Sequence, residues 1–95
     1  MDQIKRYQIK LKNKAYKDLV KIQKDKAKFK KLKELLEIIS TLGPFATPPN
    51  FESLVGDLKG LYSRRLNIQD RLVYAFDEAE QTIIIFSILT HYEKL

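Results

Sequence analysis

The 95-residue sequence has no cysteine, no tryptophan, one methionine and one histidine. Without cysteine there is no disulfide, no thiolate nucleophile and no Cys-based zinc site. A single histidine, His91, with scattered carboxylates offers little from which to build a transition-metal site. Glycine and proline are scarce, three of each, and the isolated glycines form no phosphate-cradling loop. No apolar run approaches the roughly 20 residues that span a bilayer. The opening "MDQIKRYQIKLK" lacks the apolar centre of a signal peptide. These absences predict a cytoplasmic protein with no membrane partner, no metal and no cofactor. What is present, 44% apolar and 32% charged residues, suits a single folded domain over residues 1–95.

The charge is unevenly spread. Residues 1–33 hold thirteen of the eighteen Lys and Arg against three acids, a local balance of +10, while residues 34–95 carry −4. A basic half of this kind favours an anionic partner, either nucleic acid or an acidic protein. Its bland counterpart is a solvated lysine face that keeps a small protein soluble.

Hydrophobic periodicity orders the chain as β-α-α-β-β-β. In "RYQIKL", Tyr7, Ile9 and Leu11 alternate with polar residues as in a half-buried strand. Asn13 is a fair N-cap for a first helix, along which Ala15, Tyr16, Leu19, Val20 and Ile22 recur. A second helix from about Asp25 carries the stripe Phe29, Leu32, Leu35, Leu36, Ile39 and Leu42, and "LGP" stops it. "PFATPPN" reads as loop, and the strands "GLYSRRL", "RLVYAFD" and "TIIIFSIL" follow on short polar links. The expected fold class is α+β: a small, mostly antiparallel sheet with two helices packed on one face. The opposite face or its rim is then the natural site.

The polar residues near these strands are Glu52 in the loop, Arg64 and Arg65 on one strand, Arg71 opening the next, and His91 with Tyr92 after the last. A carboxylate and an imidazole form an acid–base pair, and arginines form an anion clamp. Together they suit metal-free RNA cleavage. A base takes the ribose 2′-OH proton, the 2′-oxygen attacks phosphorus, and an acid protonates the departing 5′-oxygen. With one histidine, Glu52 has to be the base. Each residue also has an ordinary reading, as a loop carboxylate, a solvated strand face or an idle surface histidine. Composition by itself reaches an anionic partner and stops short of catalysis.

The run "FESLVGDLKGLYSRRLNIQDRLVYAF" followed by "THYE" resembles the YoeB/Txe-type toxins of bacterial type II toxin–antitoxin modules, in the RelE superfamily. The resemblance covers residues 44–93 and rests on the Glu before "GDLKG", on "YSRR", on "RLVY" and on the terminal His-Tyr. It implies a RelE-like fold and a ribosome-dependent endonuclease that cuts mRNA in the A site without a metal, leaving 2′,3′-cyclic phosphate and 5′-hydroxyl ends. By the same resemblance Glu52 matches the general base, His91 the general acid, and Arg65 and Arg71 the arginines that stabilise the phosphorane. Tyr92 matches the aromatic that helps hold the mRNA. The partners implied are the ribosome with its mRNA and an antitoxin whose acidic disordered tail folds over the toxin; a homodimer is compatible with the family. Lys14, Lys17, Lys21, Lys24, Lys28 and Lys31 would then meet ribosomal RNA phosphates. Stacking is expected of Tyr92, whereas Tyr62 and Tyr74 read as sheet residues.

Three positions strain the match. Asp70 stands where relatives often carry His, placing a negative charge beside Arg71. "FSIL" supplies no arginine before His91, a contact that Arg64 could replace. A four-residue "NIQD" link pairs Leu66 with Arg71, which puts Arg64 rather than Arg65 on the face of Arg71; the family assignment needs an odd link or a bulge. Two rivals remain at this stage. One is a toxin of the same fold without nuclease activity, such as a gyrase poison. The other is a non-catalytic module that binds RNA or the ribosome.

Overall fold

A computed structural model describes residues 6–90. Five strands, β1 (Gln8–Leu11), β2 (Glu52–Ser53), β3 (Tyr62–Arg65), β4 (Arg71–Asp77) and β5 (Thr82–Thr90), form one sheet in the order β1-β5-β4-β3-β2. Only the β1–β5 pairing is parallel. The connection between those two strands contains both helices, α1 (Asn13–Ile22) and α2 (Lys26–Leu42). The fold is the expected α+β arrangement with one addition: Glu52, read as loop, lies on a two-residue edge strand paired with β3.

Alternation in the strands decides which face meets the helices. Leu72 and Tyr74 of β4 and Ile83 and Ile85 of β5 point to one side and are fully buried against Ala15 and Ile22 of α1 and Leu32, Leu35 and Ile39 of α2. Ser63, Val73 and Ser87 are also buried, so the helix-free face is not bare as expected.

α2 begins and ends as the sequence indicates. The Asp25 carboxylate accepts from the Lys28 amide at 3.1 Å, and Gly43 terminates the helix with φ 110°. α1 departs from its reading. Asn13 is the first helical residue, and Lys12 occupies the cap with no side-chain bond. Of the apolar residues that recur along it, Tyr16 and Val20 are exposed, and the buried stripe is Ala15, Asp18 and Ile22.

Asp18 is the charged member of that stripe. β5 is bulged against β4: Tyr74 faces Ile85, Val73 faces Ser87 and Arg71 faces Thr90. The extra residues shift the alternation, so that Ile88 follows Ile83 and Ile85 into the core. The Asp18 Oδ2 accepts from the backbone amides of both Ile88 and Leu89 at 3.0 Å, and Lys14 Nζ donates to the same carboxylate at 2.6 Å. Burial alone would raise the Asp18 pKa. The Lys14 bond, the two amides and the Lys14 charge outweigh it, leaving the carboxyl below its ordinary value of 3.8. A depressed folded-state pKa contributes stability that is present above about pH 4 and lost as pH falls through the folded value. Asp18→Ala, which strands one buried and one part-buried amide, is expected to cost about 3 kcal/mol at pH 7. Urea midpoints at pH 7 and pH 3 check this: the gap between wild type and variant should narrow at the lower pH.

Candidate active site

The site is assembled at the end of the sheet where the β3–β4 link turns. Arg65 and Arg71 face each other directly across β3 and β4, and Glu52 faces Ser63 two pairs further along β3. Since side chains two apart share a face, Glu52, Ser63, Arg65 and Arg71 lie on one side. Arg71 Nη1 is 3.7 Å from Glu52 Oε1. These four line a cleft of about 620 Å³ that Lys31 of α2 and Ile68 of the link complete. Like charges directly opposite one another in a sheet are destabilising. Among its described lining residues the cleft thus carries two guanidiniums and one ammonium against one carboxylate, a local excess of positive charge.

The register differs from the one read from a four-residue link. Five residues, 66–70, separate the paired Arg65 and Arg71. The Asn67 Oδ1 accepts from the amides of Gln69 (2.8 Å) and Asp70 (2.7 Å), and the Leu66 amide donates to the Asp70 carbonyl at 2.9 Å. This side-chain-closed turn takes Leu66 out of the ladder and places Arg65, not Arg64, with Arg71.

Arg64 is corrected from a phosphate contact to a buried residue, 1% exposed on the helix side. Its Nε donates to the Tyr74 hydroxyl (3.0 Å), Nη1 to the Pro49 carbonyl (2.7 Å), and Nη2 to the carbonyls of Pro44 (2.9 Å) and Ala46 (2.7 Å). Tyr74 donates in turn to Pro44 at 2.6 Å, its phenol held above the ordinary range by burial against the opposing pull of Arg64.

Asp70 is likewise not a charge aimed at the clamp. Its carboxylate is buried, accepts from Asn67 Nδ2 and lies 3.1 Å from Lys28 Nζ. Lys28 and Lys14 thus each serve a carboxylate of the fold, whereas Lys17, Lys21 and Lys24 are exposed along α1 and the turn after it, and Lys31 lines the cleft. Tyr74 is wholly buried and Tyr62 half-buried, as sheet residues should be.

His91 and Tyr92 lie outside the described residues. Thr90, which pairs with Arg71, immediately precedes His91 in the chain. Six lining residues, Pro49, Asn50, Ser63, Leu66, Asn67 and Ile68, had no site role in the sequence reading. Ser63, which is buried, was legible from its alternation with Arg65; Ile68, 91% exposed, had no signal. Among the described residues, no three His, Cys, Asp or Glu side chains gather as metal ligands, and no helix is long and apolar enough to cross a membrane.

The model of one protein family, described as "YoeB-like toxin of bacterial type II toxin-antitoxin system", matches residues 11–92. A Toxin YoeB from Synechocystis sp. is 35% identical over 72 residues, covering 76% of this chain and 80% of the relative. Among solved structures, the YoeB-YefM complex from Staphylococcus aureus contains a chain that superposes with a TM-score of 0.79 at 36% identity, over 92% of this chain and 99% of the other. The YoeB dimer from the same organism gives a TM-score of 0.80 at 38% identity, with the same coverage.

Proposed function

The chain belongs to the YoeB-like toxins of bacterial type II toxin–antitoxin systems, and from that premise we propose that it is a ribosome-dependent mRNA endonuclease of the bacterial cytoplasm, neutralised by a cognate antitoxin. The observation that carries this reading is the cleft in which Glu52, Arg65 and Arg71 converge. Neither a docking module nor a gyrase poison calls for a carboxylate set among cations in one cleft.

In the proposed reaction a ribonucleotide phosphate enters between Arg65 and Arg71, loosening the Glu52–Arg71 pair. Glu52 accepts the 2′-OH proton, and the 2′-oxygen bonds to phosphorus. The two arginines, opposed across the ladder, meet the negative charge that builds on the non-bridging oxygens. His91 protonates the 5′-oxygen as its bond to phosphorus breaks, leaving a 2′,3′-cyclic phosphate and a 5′-hydroxyl. Tyr92 holds the mRNA, and Lys31 contributes charge at the rim. Exposed Lys17, Lys21 and Lys24 bind ribosomal RNA phosphates non-specifically.

Relatives from Staphylococcus aureus were solved as a YoeB-YefM complex and as a YoeB dimer. By analogy this chain pairs with an antitoxin, whose acidic segment suits a net charge of +6, and can pair with itself. The test of the cleft is Arg71→Ala on purified ribosomes programmed with mRNA. Loss of one charge-stabilising donor is expected to slow single-turnover cleavage about 10²–10³-fold, with ribosome co-sedimentation retained. Equal rates in wild type and variant would remove Arg71 from the reaction.

A further inference from the structure

Arg64 is the largest fully buried side chain of the described residues, and no carboxylate among them bonds to its guanidinium. A buried charge is costly unless its hydrogen-bonding groups are satisfied. Here that is done by three backbone carbonyls of the Pro44–Pro49 stretch and one phenol. A side chain chosen only to fill space on the helix side of the sheet could be apolar. Only arginine offers five N–H donors in a planar fork wide enough to gather acceptors from Pro44, Ala46 and Pro49 together.

The segment so gathered leads directly into Glu52. Pro49, held through its carbonyl, lines the cleft beside Asn50. Phe51, the residue before Glu52, lies with its ring centroid 5.3 Å from the Arg64 guanidinium carbon and packs on Phe45 and Tyr62. The ladder itself holds Glu52 weakly, because β2 contributes only two residues at the sheet edge. On the other face of the same strand, Arg64's neighbours Ser63 and Arg65 face Glu52 and Arg71. One residue therefore grips the approach to the carboxylate from below while its flanks form the cleft above.

Resting on the nuclease reading, we propose that Arg64 is a positioning residue: it fixes the Pro44–Phe51 approach so that the Glu52 carboxylate stands at the phosphate clamp. Arg64 acts on the chemistry only through Glu52 and touches no RNA. A misplacement of about 1 Å at a reacting group can cost on the order of 10²-fold in rate, so the effect is measurable.

The experiment is a double-mutant cycle in single-turnover cleavage of ribosome-bound mRNA by the full chain. It uses wild type, Arg64→Lys, Glu52→Gln and the pair. Lysine keeps the charge and cannot reach four acceptors. The expected result is a loss on the order of 10–10²-fold for Arg64→Lys in wild type, little change in KM, and almost no further loss in the Glu52→Gln background. Tyr74→Phe, which removes one acceptor of Arg64, should show the same dependence on Glu52 with a smaller loss, and it decides the matter if Arg64→Lys does not fold. Equal losses in both backgrounds would mean that Arg64 serves the fold or the RNA independently of Glu52, and would overturn the proposal. Wild-type rates for Arg64→Lys would do the same. A Glu52→Gln enzyme as fast as wild type would overturn the assignment of the base, and this proposal with it; a slow Glu52→Gln with a multiplicative Arg64 effect would leave the nuclease reading standing.

Discussion

Glu52→Gln is expected to slow cleavage of A-site mRNA by about 10²–10⁴-fold, the range supplied by a positioned general base. The amide keeps the size of the carboxylate and its place opposite Ser63 on the edge strand, but it cannot take a proton from the 2′-OH. Binding should survive. Neutralising Glu52 in a cleft that also holds Lys31, Arg65 and Arg71 makes the cleft more positive, so phosphate affinity should stay the same or rise. The expected pattern is thus a fall in kcat with unchanged or lower KM, measured by quench-flow on programmed ribosomes. A raised KM at unchanged kcat would recast Glu52 as a binding contact.

His91→Ala is expected to cost a similar factor, about 10²–10⁴-fold, for a different reason. Ribose alkoxide is a poor leaving group, and the acid supplies the proton that lets it depart. A substrate with sulfur in place of the bridging 5′-oxygen separates this role from a structural one, because a thiolate departs without being protonated. With that substrate His91→Ala should recover most of its rate while Glu52→Gln should not. If the sulfur substrate leaves His91→Ala as slow as before, the histidine serves binding or folding instead. Thr90, the residue before His91 in the chain, pairs with Arg71 on the neighbouring strand.

Much of this arrangement could be read before any coordinates. Strict alternation in Tyr7–Leu11 and the apolar run at Thr82–Leu89 marked strands, and Gly43 with Pro44 marked the end of α2. What escaped was decided by contacts between residues distant in sequence. Helical spacing grouped Tyr16 and Val20 with Ala15 and Ile22, but the bulged β5 presents the Ile88 and Leu89 amides to the Asp18 carboxylate, and with Asp18 buried Tyr16 and Val20 are exposed. The Asn67 side chain changes an even link into a five-residue turn, which swaps the faces of Arg64 and Arg65. Asp70, alarming beside Arg71 in sequence, points to the opposite face, where Lys28 answers it. The charge of Lys14 and Lys28 was counted toward RNA because sequence shows which residues are basic and not which already have a carboxylate. Within the site, the grouping of Glu52, Arg65 and Arg71 followed from motif resemblance, whereas the burial of Arg64 beneath them had no counterpart in spacing or composition.

The most direct test of the central claim maps the 5′ ends of a defined mRNA after incubation with this protein, in the presence and in the absence of purified ribosomes. The account predicts new 5′-hydroxyl ends within the A-site codon when ribosomes are present, matched upstream by 2′,3′-cyclic phosphates. Arrested ribosomes on intact mRNA would contradict it, and would make the cleft around Glu52, Arg65 and Arg71 a docking surface instead of an active site.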